Sequence, residues 1–124
     1  PLPDLVLGPS ARLVNRSPAL RAAMTADIGL VPVAPLADGM TVIEVTPVAP
    51  VEVFHLGFAR HCLLAVNGVE IESFHPGQID TLQIGRDLTD RFLALFPHVR
   101  GLSGFGKLCC PRITTEEYDL IQAA

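Results

Sequence analysis

Pro1 opens the printed chain, and no other residue in it offers such unusual chemistry. Read as a mature terminus, it carries a secondary amine on a rigid ring. Free α-amino groups titrate near about 8, below any lysine, and burial lowers the value further. A neutral amine of this kind serves as a general base or a nucleophile. A base of this kind needs a cation to bind a substrate carboxylate and to steady a developing enolate, and Arg12 is a candidate for it. Arg60 and His61 stand together before an apolar run and could reach the edge of the same pocket. Lys107 and Tyr118 are weaker additions, and Leu2, Val66 and Phe105 are candidates for the pocket's apolar wall. Each of these residues also has an ordinary reading, as a solvated surface or loop side chain.

The remaining reactive residues point away from metals and disulfides. Cys62, Cys109 and Cys110 are odd in number, and two are adjacent, where mutual pairing is strained. They read as reduced thiols of an intracellular, cytoplasmic protein. His55, His61, His75 and His98 have no metal-site spacing with them.

Composition bounds the rest. A chain of 124 residues is expected to form a single domain over 1–124, with a core of its own. Hydrophobic residues make up 49% and mean hydropathy is +0.41, apolar for a small protein. No run approaches the roughly 18 residues of a membrane span, and no basic, apolar leader is visible. The surplus apolar surface is better explained by an oligomer interface. Net charge is −4 with no basic cluster, so neither nucleic acid nor membrane is expected as a partner.

The elements that would hold these residues follow from local patterns. Asp4–Leu7 reads as a short buried strand ended by Gly8-Pro9. Ser17-Pro18 is a helix start, with Leu20, Met24 and Ile28 facing the core and Gly29 as the stop. Arg12-Leu13-Val14 reads as a turn before it. Val31–Asp38, with two prolines, is a loop. Met40–Val45 is rich in β-branched residues and reads as a strand, while 51–60 is ambiguous. Cys62–Val66 is another strand, and Asn67-Gly68 signals a hairpin with Val69–Ile71 returning. Ile79, Leu82, Gly85, Leu88, Phe92 and Phe96 give the best amphipathic helix, ended by Pro97. Gly85 on its apolar face would allow close approach to a sheet. Leu102–Cys110 reads as a Gly-interrupted strand and Thr115–Ile121 as a short last helix. The sum is α+β: an α/β two-layer sandwich of two β-α-β units, with a four-stranded mixed sheet and two main helices on one face.

An N-terminal Pro starting a strand, a doubled β-α-β plan and about 120 residues resemble the tautomerase superfamily. The proportions are similar to its long members, the macrophage migration inhibitory factor and 5-carboxymethyl-2-hydroxymuconate isomerase types. The resemblance implies a homotrimer with Pro1 at the floor of a pocket near a subunit boundary. It implies a cofactor-independent isomerase or tautomerase, needing neither metal nor organic cofactor. The substrate would be a small unsaturated or 2-oxo carboxylate, and decarboxylation or hydration would be related outcomes. Arg12 matches the position of the family's early arginine. The turn Phe74-His75-Pro76-Gly77 and the run Thr41–Val45 both lack the arginines that relatives carry there, which leaves room for an inactive tautomerase-fold trimer. A second resemblance covers Gly39–Gly68: the prolines at 47 and 50, Leu56-Gly57 and Val66-Asn67-Gly68 look like the middle of a PDZ domain. That reading implies a peptide-binding module working by strand addition.

Overall fold

A computed structural model describes residues 3–24, 26–77 and 81–123, with only the backbone for 81–84. Pro1, Leu2 and Ile79, all named above, lie outside the described residues.

The sheet is organised around one hairpin. Strands β1 (Arg12–Asn15), β2 (Gly29–Pro32), β3 (Leu63–Val66) and β4 (Val69–Glu72) lie in the order β2-β1-β4-β3. All three pairings are antiparallel. Asn67 (φ 50°) and Gly68 (φ 82°) both occupy the left-handed region, the requirement of a type I′ turn, so the expected hairpin forms. It fixes Leu63 opposite Glu72 and Val66 opposite Val69. The mixed sheet of two β-α-β units is thus corrected to an antiparallel four-stranded sheet.

Each misread strand has a local cause. Residues 4–7 are irregular and the ladder position beside β2 is taken by Arg12–Asn15, which had read as a turn. At 40–45 no strand forms because the Asp38 carboxylate accepts the backbone N–H groups of Met40, Thr41 and Val42. An Asx turn of this kind consumes the donors that a ladder would need, and the Thr41 hydroxyl, together with these N–H groups, holds the Asp38 carboxyl well below its usual pKa. At 102–110 the glycines win: Gly104 and Gly106 donate back to Gly101 and Ser103, making a 3-10 turn over Leu102–Phe105.

Helix α1 (Pro18–Met24) starts as expected, with the Ser17 hydroxyl accepting from the Leu20 N–H at 3.3 Å. Its stop comes earlier, and Gly29 instead begins β2, where any side chain would collide with Ile113. Helix α2 (Thr81–Ala94) is kinked at Gly85 (φ 78°). Gly85 therefore serves a bend, with open space where its side chain would be, rather than a close approach to a sheet. Leu88 is also exposed, against the expectation that it faces inward. Helix α3 (Thr115–Ala123) carries a reciprocal cap. The Thr114 hydroxyl accepts from the Glu117 N–H, and the Glu117 carboxylate accepts from the Thr114 N–H.

Two apolar clusters complete the packing. Leu20, Val31, Ile113 and Ile121 are buried together, with Met24, Leu36 and Tyr118 against them. Phe74, Phe92, Phe96 and Phe105 pack ring to ring, Phe74 stacking on Phe96 at 4.9 Å. Residues 111–113 run beside β2: the Leu30 N–H donates to the Pro111 carbonyl and the Ile113 N–H to the Leu30 carbonyl, each at 2.8 Å. The C-terminal segment thereby covers the β2 edge, which would otherwise present unpaired backbone. No helix among the described residues is long and apolar enough to cross a membrane.

Candidate functional site

The end of the hairpin gathers charge. Glu72 closes β4, opposite Leu63, and the Leu13–Ile71 pairing brings Arg12 alongside it. Arg12 Nη1 donates to Glu72 Oε1 at 3.0 Å. Arg112 approaches from the segment lying on β2, its Nε and Nη2 donating to the same carboxylate at 3.1–3.2 Å. His61 comes from the residues leading into β3 and meets Glu72 Oε2 at 2.7 Å. One carboxylate thus serves two guanidiniums and an imidazole, and its side chain is only 9% exposed.

The His61 tautomer is fixed by its other nitrogen. Nδ1 accepts the Cys109 backbone N–H at 2.9 Å, so Nε2 carries the proton given to Glu72. Burial lowers the His61 pKa from the ordinary 6.5 and outweighs the opposing pull of Glu72, while His75 and Arg112 lower it further. The ring is therefore neutral. Its partners are a carboxylate and a backbone amide, so in this conformation it is not the base of a Ser–His or Cys–His pair.

The depressed pKa has a stability consequence whose sign is fixed. Below pH 6.5 the unfolded chain binds a proton at this histidine that the folded chain resists. The His61 contribution is complete above that value and is lost on acidification. Urea midpoints at pH 7.5 and 5.5 are expected to show a loss on acidification that shrinks in His61→Asn. An equal loss in the variant would show that His61 is not the titrating group.

Beside the cluster, Ser73 is 1% exposed, its hydroxyl accepting the Cys62 N–H at 2.9 Å. His75 accepts the Gly77 N–H at Nδ1 and donates from Nε2 to the Gly106 carbonyl. Gly77 (φ 74°) has Arg112 Nη1 only 2.8 Å from the place a Cβ would take, so glycine is required there on two counts.

A groove of about 740 Å³ leads to this cluster. One wall is the irregular segment 5–11, another is 51–56, and the sheet contributes Leu64, Val66 and Ile71. Arg12, Glu72 and Arg112 line the groove, whereas His61 stands behind Glu72. The arrangement is a largely apolar groove that reaches two cations sharing one carboxylate. It can seat an extended chain and polarise a carbonyl at its end.

The residues named from sequence divide accordingly. Arg12 and His61 meet on Glu72, and Val66 lines the groove. Arg60 is exposed and is not part of the groove lining, and Lys107 is exposed as well. Tyr118 packs on the core and Phe105 belongs to the aromatic cluster. Pro1 and Leu2 lie outside the described residues. Glu72 and Arg112 were missed. Glu72 had a readable signal: with Asn67-Gly68 as the turn, it lies diagonally across the hairpin from His61. Arg112 had none, because only the tertiary fold carries it there.

Residues 1–78 match the family model of the Hint domain. No curated protein and no solved structure matches the chain. The Hint domain is the fold family of hedgehog and intein proteins and is distinct from the tautomerase superfamily. The tautomerase resemblance is thereby overturned, and with it the isomerase reading and the N-terminal proline mechanism. The inactive tautomerase-fold trimer and the PDZ module find no support either. The homotrimer and the small carboxylate substrate had been implied by that resemblance and lose their ground with it.

Proposed function

The chain belongs to the Hint-domain family, and from that membership we infer that it is an autoprocessing module of the hedgehog and intein kind, acting on a polypeptide. The observation that carries the reading is the groove ending at Arg12, Glu72 and Arg112. Rearranging or cleaving a peptide bond builds negative charge on the carbonyl oxygen, and preorganised cations aimed at that oxygen stabilise it. Arg12, with its side chain 30% exposed at the groove against 16% for Arg112, is the cation more accessible to a substrate carbonyl. Glu72 holds both guanidiniums in place, and His61 orients Glu72 from behind. The substrate is an extended segment lying between 5–11 and 51–56. The chain acts as one unit over 1–124, since Cys109 and Arg112 complete a cluster begun within the matched residues. Three free thiols favour a reducing compartment such as the cytoplasm.

The test is a fusion of the full chain to a folded reporter at each end. Release of a reporter is expected for the native sequence, and Arg12→Met should slow it by about 10²–10³-fold, the size typical of removing one oxyanion donor. A fusion that stays intact for days would end the autoprocessing reading. One feature favours a second reading, a Hint fold that binds a peptide without processing it: both His61 nitrogens are satisfied and the ring is fully buried. Saturable binding of an extended peptide by an uncleaved fusion would select it.

A further inference from the structure

The segment that delivers Arg112 also carries two adjacent thiols. Cys109 Sγ and Cys110 Sγ are 3.8 Å apart, and both cysteines are free. A disulfide needs the sulfurs at about 2.05 Å and the Cα atoms at about 4.4–6.8 Å, whereas adjacent Cα atoms lie about 3.8 Å apart, so closure must strain the backbone at 109–110. The two thiols also differ in character. Cys109 is exposed, while Cys110 is half-buried and its thiol is pushed up to about 12 by burial and by its neighbour.

We propose that Cys109 and Cys110 form an oxidation site, which a low-molecular-weight disulfide of the glutathione class closes into a vicinal disulfide, and that closure withdraws the Cys109 N–H from His61. The exposed Cys109 reacts first. Its thiolate attacks one sulfur of oxidised glutathione, forming a Cys109–glutathione disulfide and expelling one glutathione thiolate, which takes up the proton lost by Cys109. Conversion of Cys109 to the mixed disulfide removes the neighbouring thiol that helps hold Cys110 protonated; Cys110 then gives its proton to water and its sulfur attacks the Cys109 sulfur, breaking that mixed disulfide and releasing the second glutathione, protonated in its turn. The protein loses two electrons and two protons, and one glutathione disulfide becomes two thiols.

The coupling to His61 follows from which side of the ring is held. Pro111 restricts Cys110 to extended backbone. The Pro111 carbonyl is bound by the Leu30 N–H, and the next residue but one is tied back to Leu30 as well. The adjustment therefore falls on Cys109, whose N–H is the donor to His61 Nδ1. This coupling is independent of whether the domain processes peptide bonds.

The experiment treats the full chain with oxidised glutathione. Native protein should lose two of its three thiols, end lighter by two hydrogens with no glutathione attached, and give a link within 109–110 on digestion. The ring-nitrogen NMR signals of His61 should move on oxidation and return with dithiothreitol. Cys110→Ser should stop at a persistent glutathione adduct on Cys109, and Cys62→Ser should behave as the native chain does. A stable adduct on native Cys109, a disulfide between two chains, or a closed ring that leaves the His61 signals unmoved would each overturn the proposal.

Discussion

Glu72→Ala should lower the unfolding free energy by about 3–5 kcal/mol, the scale for breaking a buried ionic cluster from one side. An exposed ion pair would be worth under about 1 kcal/mol, so the size rests on burial. The carboxylate is 9% exposed and its partners Arg112 and His61 are 16% and 0% exposed. Removing it leaves the largely buried Arg112 guanidinium without a counter-charge and the buried His61 Nε2–H without an acceptor. Arg12, at 30% exposure, recovers solvation more easily and adds less. Glu72→Gln keeps an acceptor for His61 but no charge for the arginines, so it should fall between the native chain and Glu72→Ala. Urea denaturation at pH 7.5 measures all three. A loss below about 1 kcal/mol for Glu72→Ala would mean the cluster behaves as a surface one, and the case for a preorganised site would go with it.

The same cluster shows which parts of this fold can be read from sequence. Asn67-Gly68 and Ser17-Pro18 are punctuation whose chemistry acts within a few residues, and each sits at the element boundary it signals, while the cap of α3 falls on Thr114, one residue before the Thr115 expected. Strands are different, because an apolar run becomes a strand only when a distant segment offers a ladder. Leu5-Val6-Leu7 and Val42-Ile43 had suitable composition, but the partners went to Arg12–Asn15, and Asp38 captured the donors at 40–42. Arg12-Leu13-Val14 looked like a turn because Pro18 follows it, yet Ser17 starts the helix cleanly and leaves β1 free to pair on both sides. The misreading of Pro1 had another origin. A terminal amine has the same intrinsic chemistry whatever its neighbours, and the β-α-β order that links it to a family is not the order in which the strands pair. Arg12 was expected at the position of that family's early arginine and His61 at a pocket edge ahead of an apolar run, and the fold brings these two together on Glu72 although the family does not apply.

Ile113→Ala is expected to cost about 2–5 kcal/mol, the range for truncating a buried aliphatic side chain, and near the upper end of it. Ile113 is 2% exposed and packs with Leu20, Val31 and Ile121. Its neighbour across the gap is Gly29, which has no side chain to move into the space. The backbone cannot close it either, because Leu30 is tied to 111 and 113 by two hydrogen bonds. Cavities that cannot collapse carry the largest penalties. The substitution also asks how the Hint-matched residues 1–78 depend on the rest of the chain. Leu20 and Val31 belong to the matched part, whereas Ile113 and Ile121 do not, and neither half buries its apolar face without the other. If the two parts fold as one cooperative unit, Ile113→Ala should shift a single urea transition, with protection lost at α1 and β2 as much as at α3. Two separate transitions, with β3 and β4 unmoved, would instead show that the hairpin and its charged cluster stand apart from the core that Ile113 fills. In that case the approach of Arg112 to Glu72 would owe nothing to Ile113, although the side chain that fills the core and the one that completes the site belong to adjacent residues.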